Sequence, residues 1–345
     1  MSRMASRWRE IFKRKHIFIG SIFIIGMFIG ALVDDAIEFT IPGVTASTPC
    51  VSNLQFIKPN INCDVSDQKA ASLSDLQDRL RVLTEGYKNI GKAKRIGIFV
   101  RDLTSNRFAG VNDNDVFYMA SFLKIPVLIG GYKLAEVEPR ILDQEIQYDG
   151  TPNLYDTQII KPKEQLVAGT KYTIRELMHR AIVYSDNTAA QLLFNYYPSE
   201  FIDRILQALG IQITRPTNEN ENLITARTYA GVFRMLYNSS YLTEEYSNSA
   251  LKTLSQSTFS NGATAKLPSS VVVAHKFAER TGVDPQNPAQ IIRQVHECGI
   301  VYAKDGKEPY SFCILTEGDD YTDLEEVLQD TSLDIYNAMV GNEGN

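Results

Sequence analysis

The spacing of hydrophobic positions changes along this chain, and the order of the changes predicts its architecture. Leu73, Leu76, Leu80 and Leu83 fall three and four residues apart, as on one face of a helix. Ile96, Ile98 and Val100 then alternate as in a half-buried strand. Between about 118 and 245 the pattern is mainly helical, with helix-length stretches at Leu177 to Val183, Ala189 to Leu193, Phe201 to Leu209 and Thr228 to Leu236. Val271 to Ala274 is a strand-like apolar run, and Cys298 to Tyr302 with Tyr310 to Leu315 forms a hairpin turning at Asp305-Gly306. A last helix is predicted from near Thr322, where Thr322 and Glu325 make a capping box ahead of Leu324, Val327, Leu328, Ile335 and Met339. The expected fold is α+β, an antiparallel sheet with helices at both chain ends and a helical insertion between its strands.

The start of the chain has a different pattern. Ile17 to Val33 carries no charge, and Arg3, Arg7, Arg9, Lys13, Arg14 and Lys15 precede it. A run of this length lies at the short end of what spans a bilayer, and the excess of cations before it puts residues 1–16 in the cytoplasm. A cleaved signal peptide competes with this reading, but no clear small-x-small site follows, so 17–33 is read as a retained anchor. The expected localisation is the cell membrane, single-pass, with the domain outside. Residues 34–72 read as a stalk because 36–72 mix Thr, Ser, Pro and Asn without a sustained period, and the folded domain is expected at 73–345.

At 345 residues, with 44% hydrophobic and 22% charged residues, the chain can bury an ordinary core and is not a disordered protein. A net charge of -6 offers no basic surface for a phosphate backbone, so nucleic acid is excluded as a partner. Cysteines suit an oxidising compartment: Cys50 and Cys63 lie close together, and the hairpin register sets Cys298 opposite Cys313. That second pair is either a disulfide or two small buried apolar side chains. His16, His179, His275 and His296 are scattered without zinc spacing, and no GxSxG elbow exists, so neither a metal site nor a cofactor is expected.

Candidate chemistry lies in three places. Ser121 and Lys124 stand at i and i+3, so on a helix the amine can approach the hydroxyl. Such a lysine activates a serine only when desolvation or neighbouring cations lower its pKa. The spacing alone also fits an exposed helical pair, and Ser66-Asp67-Gln68-Lys69 repeats it in the stalk. Ser185-Asp186-Asn187 is both a helix cap and a candidate proton relay with a substrate-orienting amide. Lys276 ends the Val271 to Ala274 run, either pointing into a cleft or reaching solvent by its flexible stem.

An SxxK, an SDN and a lysine triplet in this order resemble the class A β-lactamases and low-molecular-weight penicillin-binding proteins, over about residues 73 to 342. The flanks add to the likeness: Ile98-Phe99-Val100-Arg101-Asp102-Leu103, Tyr118-Met119-Ala120-Ser121 and Ser185-Asp186-Asn187-Thr188-Ala189-Ala190. The resemblance implies a five-stranded antiparallel sheet and no cofactor. It implies Ser121 as the residue that forms an acyl-enzyme, Lys124 as its base and Ser185 as proton donor to the leaving group. Asn187 would bind the substrate amide and Lys276 its acidic end, while the backbone N–H groups of Ser121 and Glu279 would form the oxyanion hole, Glu279 acting through its main chain only. The implied substrate is a β-lactam or a peptidoglycan peptide.

Two departures stand out. The third motif reads Lys276-Phe277-Ala278, without the family's hydroxyl and glycine, and leaves Arg280 as the candidate substitute contact for a substrate carboxylate. The interval from Ser185 to Lys276 is also shorter than in the class A enzymes. It offers no equivalent of the glutamate that positions their hydrolytic water, since Glu219 and Glu221 read as solvated loop carboxylates. Two classes of function follow: an acyl-serine hydrolase, slow or acyl-trapped if deacylation lacks a base, or a binding module that holds cell-wall fragments.

Overall fold

The helical face predicted at 73–83 belongs to helix α1 (Ser74–Asn89), which leads into strand β1 (Arg95–Asp102). The computed structural model describes residues 55–58, 73–198, 200–211, 222–283, 287, 289–306 and 308–340. After β1 come β2 (Phe108–Val111), β3 (Phe117–Tyr118), α2 (Lys124–Ala135), β4 (Glu145–Gln147) and β5 (Lys171–Thr173). Helices α3 (Ile174–Val183), α4 (Asn187–Tyr196) and α5 (Phe201–Ala208) follow, then β6 (Leu223–Ile224), α6 (Ala226–Tyr237) and α7 (Glu244–Leu254). The chain closes with β7 (Val272–Val283), β8 (Ile291–Ala303), β9 (Glu308–Gly318) and α8 (Tyr321–Val340). The predicted anchor at 17–33, Cys50, Cys63, Glu219 and Glu221 lie outside the described residues. Among the described residues no helix is long and apolar enough to cross a membrane.

Five strands form one antiparallel sheet in the order β2-β1-β9-β8-β7, so first and last segments of the domain meet at its centre. On one face Leu76 and Leu80 of α1 and Leu324, Val327 and Leu328 of α8 pack with Ile96, Ile98 and Val100. On the other, Phe99, Ile300 and Leu315 pack with Phe122, Tyr229 and Phe233 of the helical insertion. Burying each such side chain contributes about 1.5–3 kcal/mol. Strand β1 is therefore buried on both faces from Ile96 to Val100, and not on one as its alternation suggested. Gly97 had hidden the second face: a Cβ there would meet Phe117 and the carbonyl of Asn112 at 3.1 Å.

Helix α2 is apolar all round because it runs through the middle of the helical lobe, buried from Lys124 to Tyr132. At Gly131 a Cβ would stand 2.4 Å from Met178 Sδ, so glycine is what lets α3 approach. Several helix starts follow from single side chains accepting backbone N–H groups: Thr173 from Glu176, Asp186 from Ala189 and Thr225 from Thr228. At α8 the N-terminal acceptor is Asp320, which takes the N–H groups of Thr322 and Asp323, in place of the predicted box at Thr322 and Glu325.

The hairpin register holds, with Cys298 opposite Cys313 and a disulfide between them. Strand β7 is much longer than its apolar run, so Lys276 lies inside the strand and not at its end. Part of the predicted stalk joins the domain: Phe56 and Ile57 are buried in the helical lobe. Phe56 donates its N–H to Asn248 at 3.0 Å, accepts from Tyr302 at 2.9 Å and meets the Tyr302 ring edge-on.

Candidate active site

Strand β3 delivers the chain to a 3-10 turn, Ala120–Leu123, which continues directly into α2. Residues i and i+3 eclipse in a 3-10 turn, which aligns Ser121 with Lys124 more closely than an α-helix does. Ala120 has φ +45°, a left-handed conformation that is costly for alanine. Beneath the turn the Tyr229 hydroxyl donates to the Phe122 carbonyl at 2.6 Å, and the two rings stack. The turn packs against β7, the edge strand of the sheet.

Lys124 is buried, and four oxygens surround its Nζ: Ser121 Oγ at 3.0 Å, Ser185 O at 2.6 Å, Ser185 Oγ at 2.9 Å and Asn187 Oδ1 at 2.5 Å. An ammonium has three hydrogens and cannot satisfy four acceptors. The carbonyl and the amide oxygen can only accept, so a neutral amine gives its two hydrogens to them and turns its lone pair to the hydroxyls. Burial lowers the Lys124 pKa to about 7, while Asp186 and Glu279 oppose that fall, so a large neutral fraction exists near neutrality.

The second motif divides its tasks between three residues. Ser185 has φ +53° and is buried, Asp186 caps α4, and Asn187 opens that helix with its side chain on the cleft wall. Cap and relay thus coexist in adjacent residues. Lys276 Nζ lies 2.8 Å from Ser185 Oγ and 2.8 Å from the Phe277 carbonyl, with its charge 3.9 Å from the centre of the Phe277 ring. Burial first, and then the Lys124 charge, push the Lys276 pKa well below its ordinary value. Phe277 itself stacks on Phe259 at 4.1 Å. Lys276 is fully buried with its Nζ against the Phe277 ring, and neither residue is among those that line the cleft.

The cleft, about 290 Å³, is lined by Ser121, Lys124 and Asn187 with Glu279, Arg280 and an apolar wall that includes Leu154 and Phe194. Glu279 lines the cleft with its side chain engaged: Oε1 accepts the Ile160 N–H at 2.8 Å, and burial lifts its carboxyl above the ordinary value. The Arg280 guanidinium lies 3.7 Å over the Tyr118 ring.

Sequence reasoning missed Gln158. Its Nε2 donates to the carbonyls of Ser185 at 2.9 Å and Ile160 at 2.7 Å, and its Oε1 accepts the Asn187 N–H at 3.1 Å. A glutamine in a loop between turn residues carries no periodic or motif signal, so only the fold reveals it. Tyr155 was missed likewise, and its hydroxyl donates to Asp186 at 3.2 Å. Among the described residues no group of three or more His, Cys, Asp or Glu could hold a metal ion.

An SxxK serine, an SDN serine and a buried strand lysine meeting at the edge of a five-stranded sheet define the class A β-lactamase and penicillin-binding protein type of serine site. Residues 75–339 match the β-lactamase enzyme family, and the chain belongs to that family. It is 27% identical over 161 residues to β-lactamase ROB-1 of Haemophilus influenzae, covering 46% of this chain and 49% of that protein. Over 121 residues it is 30% identical to a β-lactamase of Amycolatopsis lactamdurans, covering 35% and 38%. The chain spans about half the length of the first of these relatives or less. Among solved structures it is similar to a class A β-lactamase from Mycobacterium abscessus, at TM-score 0.64, 21% identity and 76% and 98% coverage. It is also similar to PBP-A, at TM-score 0.62, 19% identity and 77% and 96% coverage.

Proposed function

We propose that this protein is a serine hydrolase that opens β-lactam or related amide bonds through an acyl-Ser121 intermediate. The observation that carries this reading is the burial of Lys124 Nζ within hydrogen-bond reach of both Ser121 Oγ and Ser185 Oγ, which lowers its pKa and sets a partly neutral amine beside the nucleophile. In the proposed cycle Ser121 gives its proton to Lys124 as Oγ attacks the carbonyl carbon. Lys124 returns a proton through Ser185 to the leaving nitrogen as the C–N bond breaks. Lys276 donates to Ser185 Oγ and holds that hydroxyl in line. The backbone N–H groups of Ser121 and Glu279 take the oxyanion, where the loss of one donor typically costs about 100 to 1,000-fold. Asn187, whose Oδ1 is engaged by Lys124, binds a substrate carbonyl through Nδ2.

A second reading, a slow or acyl-trapped penicillin-binding protein, is favoured by the burial of Lys276 against the Phe277 ring. A PBP-A mutant in an acyl-enzyme complex with penicillin G has a related fold, at 19% identity and TM-score 0.63. The same proposal puts the domain outside the cell membrane on an anchor at 17–33, supported by the cations before that run and by the Cys298–Cys313 disulfide. Full-length protein in detergent, given a chromogenic cephalosporin, tests the first reading. Turnover that disappears in Ser121→Ala supports it, stable labelling without turnover moves the reading to the second, and turnover unchanged in Ser121→Ala overturns both.

A further inference from the structure

Two facts about the cleft point to an unusual substrate charge. Lys276 is fully buried with its Nζ against the Phe277 ring and presents no charge on the cleft wall, and position 277 carries that ring and no hydroxyl. In addition, a carboxylate lines the same cleft as Ser121: Glu279 bonds the Ile160 N–H through Oε1, and its Oε2 has no hydrogen-bond donor among the described residues. The other ionisable groups on this wall are Lys124, turned inward to four oxygens, and Arg280, drawn over Tyr118.

We propose that Glu279 makes this cleft favour acyl substrates whose end beside β7 carries a cationic amine over those that, like β-lactams, present a carboxylate there. The inference rests on the acyl-Ser121 reading. An ammonium at Glu279 gains a partner of opposite charge at the half-buried edge of the cleft, whereas a carboxylate there meets a like charge. The chemical class is an amide or peptide with a free amine near the scissile bond.

Three phenylacetyl thioesters that differ only in the leaving thiol test it: thiocholine, a cation; 2-mercaptoethanol, neutral; and 3-mercaptopropionate, an anion. Ser121 Oγ takes the acyl group as the C–S bond breaks, the thiol leaves with the serine proton by way of Lys124, and water then hydrolyses the ester. Thiol release is followed on the full-length protein, its Glu279→Gln variant and Ser121→Ala. Glutamine retains an oxygen for the Ile160 N–H, so E279Q keeps the local fold. The expected result is a kcat/KM order of cation above neutral above anion, with the cation-to-anion ratio falling about tenfold in E279Q. Arg280 is common to both proteins and cancels in that comparison. A wild-type preference for the anion, or a ratio unchanged in E279Q, overturns the charge selection and leaves the acyl-serine reading standing. Absence of Ser121-dependent cleavage of all three thioesters overturns both together.

Discussion

Lys124 Nζ lies 2.9 Å from the hydroxyl of Ser185 and 2.6 Å from the carbonyl oxygen of the same residue. The left-handed backbone of Ser185, φ +53°, is what turns both oxygens to one amine. One strained residue thereby gives the amine a fixed acceptor and a partner that can pass on a proton.

The pH dependence of acylation follows from that amine. A Lys124 pKa lowered to about 7 means that the reactive neutral form grows as pH rises through that value, so the acylation rate climbs through neutrality and then levels. Asp186 raises this pKa, so Asp186→Asn, which can still cap α4, moves the rising limb to lower pH. Stopped-flow labelling between pH 5 and 9 reads the shift, and a limb that stays in place or moves upward contradicts the assignment. Lys124→Met removes the base and lowers acylation by about 100 to 10,000-fold.

The same group makes stability depend on pH. Lys124 is protonated in the unfolded chain up to its ordinary value of 10.5 and loses that proton near 7 in the fold. Between those values the unfolded state binds more protons, so this lysine's contribution to stability rises with pH. Denaturant midpoints at pH 7 and 9.5, compared with Lys124→Met, show a smaller rise in the variant.

Replacing Phe277 by threonine removes the ring that packs against Lys276 Nζ and puts a hydroxyl at that position. Acylation by an anionic penicillin is expected to accelerate about tenfold, from one recovered charged contact. Loss of the stack on Phe259 lowers stability by about 2–4 kcal/mol, read from denaturant unfolding. Unchanged acylation in a folded Phe277→Thr shows that the ring does not control access to the lysine.

Gln158 acts through its neighbours. In Gln158→Leu the Ser185 carbonyl and the Asn187 N–H each lose a partner, at about 1–3 kcal/mol for the buried groups. The expected signature is a fall in kcat of about tenfold with KM little changed, because the relay is displaced and the cleft wall is not. Gln158→Glu, which keeps one acceptor for Asn187, recovers part of kcat, and equal loss in both variants contradicts a positioning role.

Phe56 tests where the domain begins. Phe56→Ala is expected to destabilise the domain by about 3–5 kcal/mol, because the ring is buried against Tyr302. A chain starting at residue 73 loses this contact and the Lys58 to Tyr237 backbone bond as well. Equal thermal unfolding of the two lengths contradicts this.

Much of this molecule is readable where one physical signal dominates. Alternation and helical spacing locate β1, α1, α3, α5 and α6, and the hairpin turn sets Cys298 against Cys313. Strand β7 is shortened in the sequence because its second half, from Lys276 to Thr281, carries the polar residues of the cleft edge. Helix α7 gives little periodic signal, since Ser247 and Ala250 fill half of its buried face. Phe56 and Ile57 sit in a polar stretch and are recognisable as core only once the helical lobe is there to receive them. At the site, Ser121, Lys124, Ser185, Asn187 and Lys276 carry motif spacing and are brought together. Gln158 and the Glu279 side chain have no spacing to announce them, because their partners come from distant segments.

Full-length protein incubated with a fluorescent penicillin and digested is expected to yield one modified peptide, with the mass of the penicilloyl group on Ser121, and no such peptide from Ser121→Ala. A modified peptide that persists in Ser121→Ala, or an adduct on any other residue, contradicts the account.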